Sequence, residues 1–182
     1  MKKILMPIAP GFEEIEALAV VDILRRAGLE VIMAGTVDGA IEGRSKIRVL
    51  TDVSLISVKD EEFDMIILPG GTVGTENLKK DVRIKEIVER LYKKGKFVTA
   101  ICAAPTVLSA IGITAGKTVT SYPGVRNILQ KEKLSDERVV VDGNIVTSQG
   151  PGTAIEFAFK LVELLLGKEK VNEVNKGVLA RI

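Results

Sequence analysis

Four short aliphatic runs recur along this chain, with helical patterns between them: Lys3–Ile8, Val31–Ala34, Met65–Leu68 and Phe97–Ile101. Each is hydrophobic almost without interruption, as strands covered on both faces must be. Between the last two, Ile84, Ile87, Val88 and Leu91 follow the i, i+3, i+4, i+7 rule of a helix with one buried face. Asp81 is placed to cap that helix, and Gly95, after Lys93 and Lys94, to stop it. Strand and helix in alternation restrict the fold to α/β: a mostly parallel sheet sandwiched by helices. Val139–Asp142 and Asn144–Ser148 turn on Asp142-Gly143 and read as an antiparallel hairpin added to that sheet. Thr153 and Glu156 have the spacing of a capping box. The stripe Ala154, Phe157, Ala158, Leu161, Val162 and Leu165 follows, and Gly167 ends it. The stretch from Val37 to Arg48 shows neither period and reads as a surface excursion.

A chain of 182 residues with 46% hydrophobic content suits one domain over 1–182. The net charge is +2, with both signs interspersed, which gives no electrostatic case for specific nucleic-acid binding or an anionic membrane. The N-terminal apolar run is broken by Pro7 and followed by Glu13 and Glu14, so it reads as a first strand, not a signal peptide. The late apolar stretch Leu161–Leu166 contains Glu163 and is too short to span a bilayer. A single cysteine excludes an intrachain disulfide framework and fits a reducing cytoplasm. There is no histidine, which removes the commonest metal ligand and the commonest general base together. Neither a metal nor a cofactor is expected.

In such sheets, ligands bind beyond the carboxyl ends of the strands, near a topological switch point. Three loops should meet there: Ala9-Pro10-Gly11-Phe12, Pro69-Gly70-Gly71, and the turn at Cys102. The β-branched run that ends at Cys102 restarts as Ala103-Ala104-Pro105, so the thiol is expected between a strand and a helix N-terminus. The helix dipole there favours thiolate. A lone cysteine among Val, Ala and Ile is more often a small buried hydrophobe. Glu16 is the second informative residue. At about 100° per residue it projects opposite the wet face defined by Asp22, Arg25 and Arg26. Glu14 falls on the wet side, and Glu13 leans inward in the first turn. Glu16 either reaches out at the helix end or caps a loop N–H, or is desolvated and holds a proton near neutrality that it can share with the sulfur. Gly70, Gly71 and Gly74 lack the GxGxxG order of a nucleotide fingerprint, so a flavin or nucleotide binder rests on fold analogy alone. A different role suits them better: a tight backbone approach through Pro69-Gly70-Gly71, with Gly70 a pocket residue and the N–H groups of Gly71 and Ala103 forming an oxyanion hole. Tyr122 is either a pocket wall or a hydroxyl donor.

The segments Gly11-Phe12-Glu13-Glu14-Ile15-Glu16, Leu68-Pro69-Gly70-Gly71, Ala100-Ile101-Cys102-Ala103-Ala104-Pro105 and Thr147-Ser148-Gln149-Gly150-Pro151-Gly152-Thr153 occur in this order over essentially the whole chain. Together they resemble the ThiJ/PfpI superfamily, in particular the branch of the parkinsonism-associated deglycase and the bacterial YajL-like proteins. The resemblance implies a flavodoxin-like three-layer sandwich, a homodimer, and a nucleophile-elbow cysteine. It implies that Cys102 is the reactive thiol, Glu16 its protonated partner, and Gly71 and Ala103 the backbone donors. The activities it implies are cofactor-free glyoxalase, deglycation of early α-oxoaldehyde adducts on proteins, oxidative-stress sensing with chaperone behaviour, and, in another branch, peptidase action. Several members carry a histidine beside the cysteine, and this chain has Tyr122 there. No cysteine–histidine peptidase dyad can form, within one chain or between two identical ones.

Overall fold

A computed structural model describes residues 1–181. In chain order the elements are β1 Lys3–Ile8, α1 Glu14–Arg26, β2 Glu30–Gly35, β3 Ile41–Glu42, β4 Arg48–Val49, β5 Val53–Ser54, α2 Leu55–Val58 and β6 Met65–Leu68. Then come α3 Thr72–Lys80, α4 Val82–Lys93, β7 Phe97–Ile101, α5 Pro105–Ile111, β8 Thr118–Val119 and β9 Lys133–Leu134. The chain closes with β10 Val139–Asp142, β11 Ile145–Ser148, α6 Ala154–Leu166 and α7 Lys168–Val178. The main sheet runs β10-β11-β7-β6-β1-β2-β5. Every pairing in it is parallel except β10 with β11, the hairpin read at Asp142-Gly143.

This is the flavodoxin-like sandwich, and strand alternation builds its two cores. Ile4, Met6 and Ile8 of β1 face one side with Met65 and Ile67, packed against Ala17, Val20 and Leu24 of α1 and Phe157 and Leu161 of α6. Leu5, Ile66, Leu68, Val98 and Ala100 face the other side, against Ile84, Ile87, Val88 and Leu91 of α4 and Val107 and Leu108 of α5. Successive side chains on a strand point to opposite faces, so a strand serving both cores must be apolar throughout. Asp81 caps α4 by accepting the Arg83 N–H, and the chain leaves that helix through Gly95 at φ +68°.

Two local expectations are corrected. Thr153 and Glu156 form no capping box on α6. The Thr153 hydroxyl turns back to Gly150 and to the Ser148 hydroxyl, 2.6 Å away, while Glu156 pairs with Arg138. The stretch 37–48 is not unpatterned. Ile41 pairs with Val49 and Glu42 with Arg48 in a small hairpin, whose tip lies over the start of α1. Among the described residues no helix is long and apolar enough to cross a membrane.

The chain passes from β1 outward to β2 and β5, then returns to place β6 on the other side of β1. The switch point therefore lies between β1 and β6, where a crevice opens beyond the strand ends.

Candidate active site

Cys102 follows β7 with φ +66°, a left-handed backbone conformation that a residue with a Cβ adopts at a cost. Its neighbours hold it there. The Cys102 N–H donates to Ser148 O at 2.9 Å, extending the β7–β11 ladder, and its carbonyl accepts from the Tyr122 N–H at 2.8 Å. Ala104 N–H closes a tight turn onto Ile101 O, and Pro105 opens α5. The result is a sharp strand-to-helix elbow with the side chain thrown back toward the end of β6.

What meets it there is Gly70. A Cβ on Gly70 would lie 2.5 Å from Glu16 Oε2, 2.6 Å from Cys102 Cβ and 3.1 Å from Cys102 Sγ. Only a hydrogen fits, and its absence of side chain brings carboxyl and sulfur together. Glu16 Oε2 accepts the Gly70 N–H at 2.8 Å, and the Cys102 thiol is hydrogen-bonded to the same carboxyl. Glu16 Oε1 is buried without a partner among protein nitrogen and oxygen atoms. The N–H groups of Gly71 and Ala103 are both directed at the sulfur. Gly71 stands at φ +87° with the Gly11 carbonyl where a Cβ would go, so the turn requires glycine. The three loops do converge: Glu13 N–H donates to Gly70 O, and Gly74 N–H to Gly11 O.

Electrostatically the pair is one unit. Burial pushes the Glu16 carboxyl up to about 7. Hydrogen bonds from Cys102 and Gly70 oppose that rise, the Glu13 carboxylate adds to it, and the Arg44 charge subtracts from it. Burial also pushes the Cys102 thiol up, to about 12, with the Glu16 carboxylate adding to the effect and the Gly71 and Ala103 N–H groups pulling it back. Desolvation of a sulfur only 6% exposed works against the expected thiolate, and the dipole of a two-turn helix works for it. Thiolate forms here when the thiol proton moves to Glu16, a base whose affinity for it lies near neutrality.

Tyr122 reaches Cys102 through its backbone. Its half-exposed ring lies against Gly124 and Gly150 and lines a cavity of about 240 Å³ with Pro123, Arg138 and Gln149. Three residues near the site escaped the sequence reading of function. Glu13, 5% exposed, is the N-cap of α1 and accepts the Glu16 N–H. Glu14, read on the wet side, is 4% exposed, because the 43–47 segment covers it. Arg44 sits on that segment. Among the described residues no cluster of three or more histidine, cysteine, aspartate or glutamate side chains is gathered to hold a metal ion.

Comparison with known proteins agrees with this arrangement over the full chain. Protein dj-1beta of Drosophila melanogaster is 43% identical across 98% of this chain and 97% of its own length. Its crystal structure superposes with a TM-score of 0.97, covering 100% of this chain and 99% of the other at 41% identity. A Caenorhabditis elegans relative named glutathione-independent glyoxalase DJR-1.2 is 42% identical, covering 90% of this chain and 88% of its own. The structure of oxidized Toxoplasma gondii DJ-1 covers 100% of both chains with a TM-score of 0.97 and 35% identity. The DJ-1/PfpI family profile matches residues 2–164, and with relatives this similar over their whole length the chain belongs to the DJ-1/PfpI family.

Proposed function

We propose that this chain is a cysteine-dependent, cofactor-free glyoxalase and deglycase, acting on methylglyoxal-type α-oxoaldehydes and on their early adducts with proteins. The observation that carries the reading is the Glu16 carboxyl and Cys102 sulfur pressed together against Gly70, in a chain with no histidine to serve as base. The C. elegans relative's name supports the glyoxalase reading.

In this mechanism Glu16 takes the thiol proton as Cys102 Sγ attacks the aldehyde carbon. The nascent alkoxide is held by the Gly71 and Ala103 N–H groups, at about 3 kcal/mol per donor if typical, and receives the proton back from Glu16. Glu16 next removes the proton from the sulfur-bearing carbon of the hemithioacetal and returns one to the neighbouring carbon. The product is a 2-hydroxythioester, which water cleaves to a 2-hydroxy acid. One carboxyl with a proton affinity near 7 suits both directions of transfer. Tyr122 and Gly70 form the pocket around the reacting carbons, and residues 1–182 act as one domain. The test is conversion of methylglyoxal to lactate without glutathione. Wild type must exceed a Cys102→Ala variant, and equal rates would end the reading.

Exposed apolar side chains at Ile15, Leu18, Ile47 and Leu50 support a homodimer in which a second copy covers the start of α1. The single free thiol supports a cytoplasmic location.

A second reading is an oxidative-stress sensor with chaperone behaviour. Its support is the partnerless Glu16 Oε1, which, protonated, can donate to an oxygen added to the sulfur. Mild peroxide should then add two oxygens to Cys102, seen by intact mass. Peptidase action is not proposed, because the dyad it needs has no histidine.

A further inference from the structure

Glu14 is buried on the helix face that amphipathic patterning assigns to water. Its Oε1 accepts the N–H of Ser45 at 2.8 Å and of Ile47 at 3.3 Å. Two further bonds tie the 42–47 strap to the loop before α1. Gly11 N–H donates to Glu42 O at 2.8 Å, and Arg44 N–H donates to Phe12 O at 2.8 Å. Gly43 lies against the carboxylate so closely that a Cβ would overlap it. Within the strap, Gly43 and Ile47 bond to each other, and Lys46 takes φ +66° to close the turn. A carboxylate with 4% exposure is a costly anchor unless donors meet it, and two backbone N–H groups meet Oε1 while Oε2 is buried without a partner.

The consequence lies at the next residue but one along the helix. Arg44 is the strap's guanidinium, and its charge is felt at Glu16. Three groups face Glu16: the Cys102 thiol from the elbow, the Glu13 carboxylate from the cap of α1, and Arg44 from the strap. Arg44 alone among them is a cation.

We propose that Glu14 is a positioning residue: its buried carboxylate holds the 43–47 strap on the start of α1 and so keeps the Arg44 guanidinium in electrostatic reach of the Glu16–Cys102 pair. The effect on turnover rests on the thiol–carboxyl reading above, whereas the strap and its effect on the pair do not.

The test is the pH dependence of Cys102 alkylation by iodoacetamide in the full chain. The only cysteine reports the first apparent midpoint of the pair. Removing Glu14's negative charge by itself can only lower that midpoint, while releasing Arg44 raises it, so the two effects differ in sign. Glu14→Ala and Arg44→Gln should each raise it by about half a pH unit, which is about a threefold fall in rate below the midpoint. Glu14→Gln, which keeps an acceptor oxygen for Ser45 and Ile47, and Arg44→Lys, which keeps the charge, should stay within about 0.2 unit of wild type or below it. The double variant Glu14→Ala/Arg44→Gln should shift no further than either single change. Arg44 is exposed, so Arg44→Gln keeps the test decisive even if Glu14→Ala fails to fold. An unmoved midpoint in Arg44→Gln, or a Glu14→Ala midpoint that falls with that of Glu14→Gln, overturns the proposal. The latter would also result if a second copy of the chain, not Glu14, held the strap. Methylglyoxal conversion measured alongside separates the two readings. Wild type without turnover but with the predicted alkylation shifts defeats the glyoxalase and leaves the strap.

Discussion

Glu14 and Glu16 leave one helix two residues apart, and both are shut away from solvent, yet they meet opposite surroundings. Glu14 turns to a strap of exposed residues and is met by two backbone N–H donors. Glu16 turns to the elbow and is met by one N–H, a thiol and a hydrogen-only gap at Gly70. The difference teaches that burial alone does not make a carboxylate reactive. Each leaves one buried oxygen, Glu14 Oε2 and Glu16 Oε1, without a partner. The difference lies in the other oxygen and in the neighbours: two backbone N–H groups make Glu14 a fastener, whereas one N–H and a thiol leave Glu16 near neutrality, able to exchange a proton.

The largest expected contrast is in activity. Glu16→Gln keeps an oxygen for the Gly70 N–H but cannot carry the proton, so methylglyoxal turnover should fall about a hundredfold to ten-thousandfold. Glu14→Gln, which keeps an acceptor oxygen for Ser45 and Ile47, should leave turnover within about threefold of wild type. Equal losses in the two variants would erase the distinction between fastener and acid.

Next comes stability against pH. Burial raises the folded-state Glu16 carboxyl from 4.5 to about 7, so the unfolded chain gives up this proton first as pH rises. The contribution of a protonated Glu16 is fully present below about 4.5 and is lost as pH climbs through about 7, a swing of about 3 kcal/mol. Glu16→Gln, always neutral, should therefore gain stability relative to wild type between pH 4 and pH 8 in urea unfolding, and the two should differ least at the acid end. A flat difference across that window would mean that the folded chain holds the Glu16 proton no more tightly than the unfolded chain does.

Much of this was legible before any coordinates. The strand runs, the cap at Asp81 and the hairpin at Asp142-Gly143 are local chemistry, in which the residues that make the element also mark it. Glu16 was legible too, because a helical wheel separates it from Asp22, Arg25 and Arg26. Glu14 was misread for the same reason. The wheel knows which side of a helix faces the sheet, but not that a strap some thirty residues away in sequence folds over the other side. The sulfur's surroundings were legible only in part, since position at a helix N-terminus is visible in sequence and desolvation is not. Thr153 and Glu156 had capping-box spacing, but Ser148 and Arg138, brought in by the β10–β11 hairpin, competed for their side chains.

The smallest contrast is the sharpest, because it changes one methyl group on each side. Gly43 and Gly70 each abut a buried carboxylate, and neither needs a left-handed backbone, so replacement by alanine tests space alone. On Gly70 the new Cβ would meet Cys102 Cβ at 2.6 Å, an atom fixed to an elbow already at φ +66°, with Glu16 Oε2 on the other side at 2.5 Å. Neither neighbour can retreat without parting the pair, so Gly70→Ala should cost about 2–3 kcal/mol and most of the activity. On Gly43 the methyl would first meet Oε1, Cδ and Cγ of the flexible Glu14 side chain, and the strap beyond is exposed from Arg44 to Lys46, with room to move outward. Gly43→Ala should cost about 1 kcal/mol, and as the strap lifts Arg44 away, the alkylation midpoint of Cys102 should rise as it does in Arg44→Gln. A Gly43→Ala variant with the larger stability loss and an unmoved midpoint would show that the strap is the rigid side of this helix end and the elbow the yielding one.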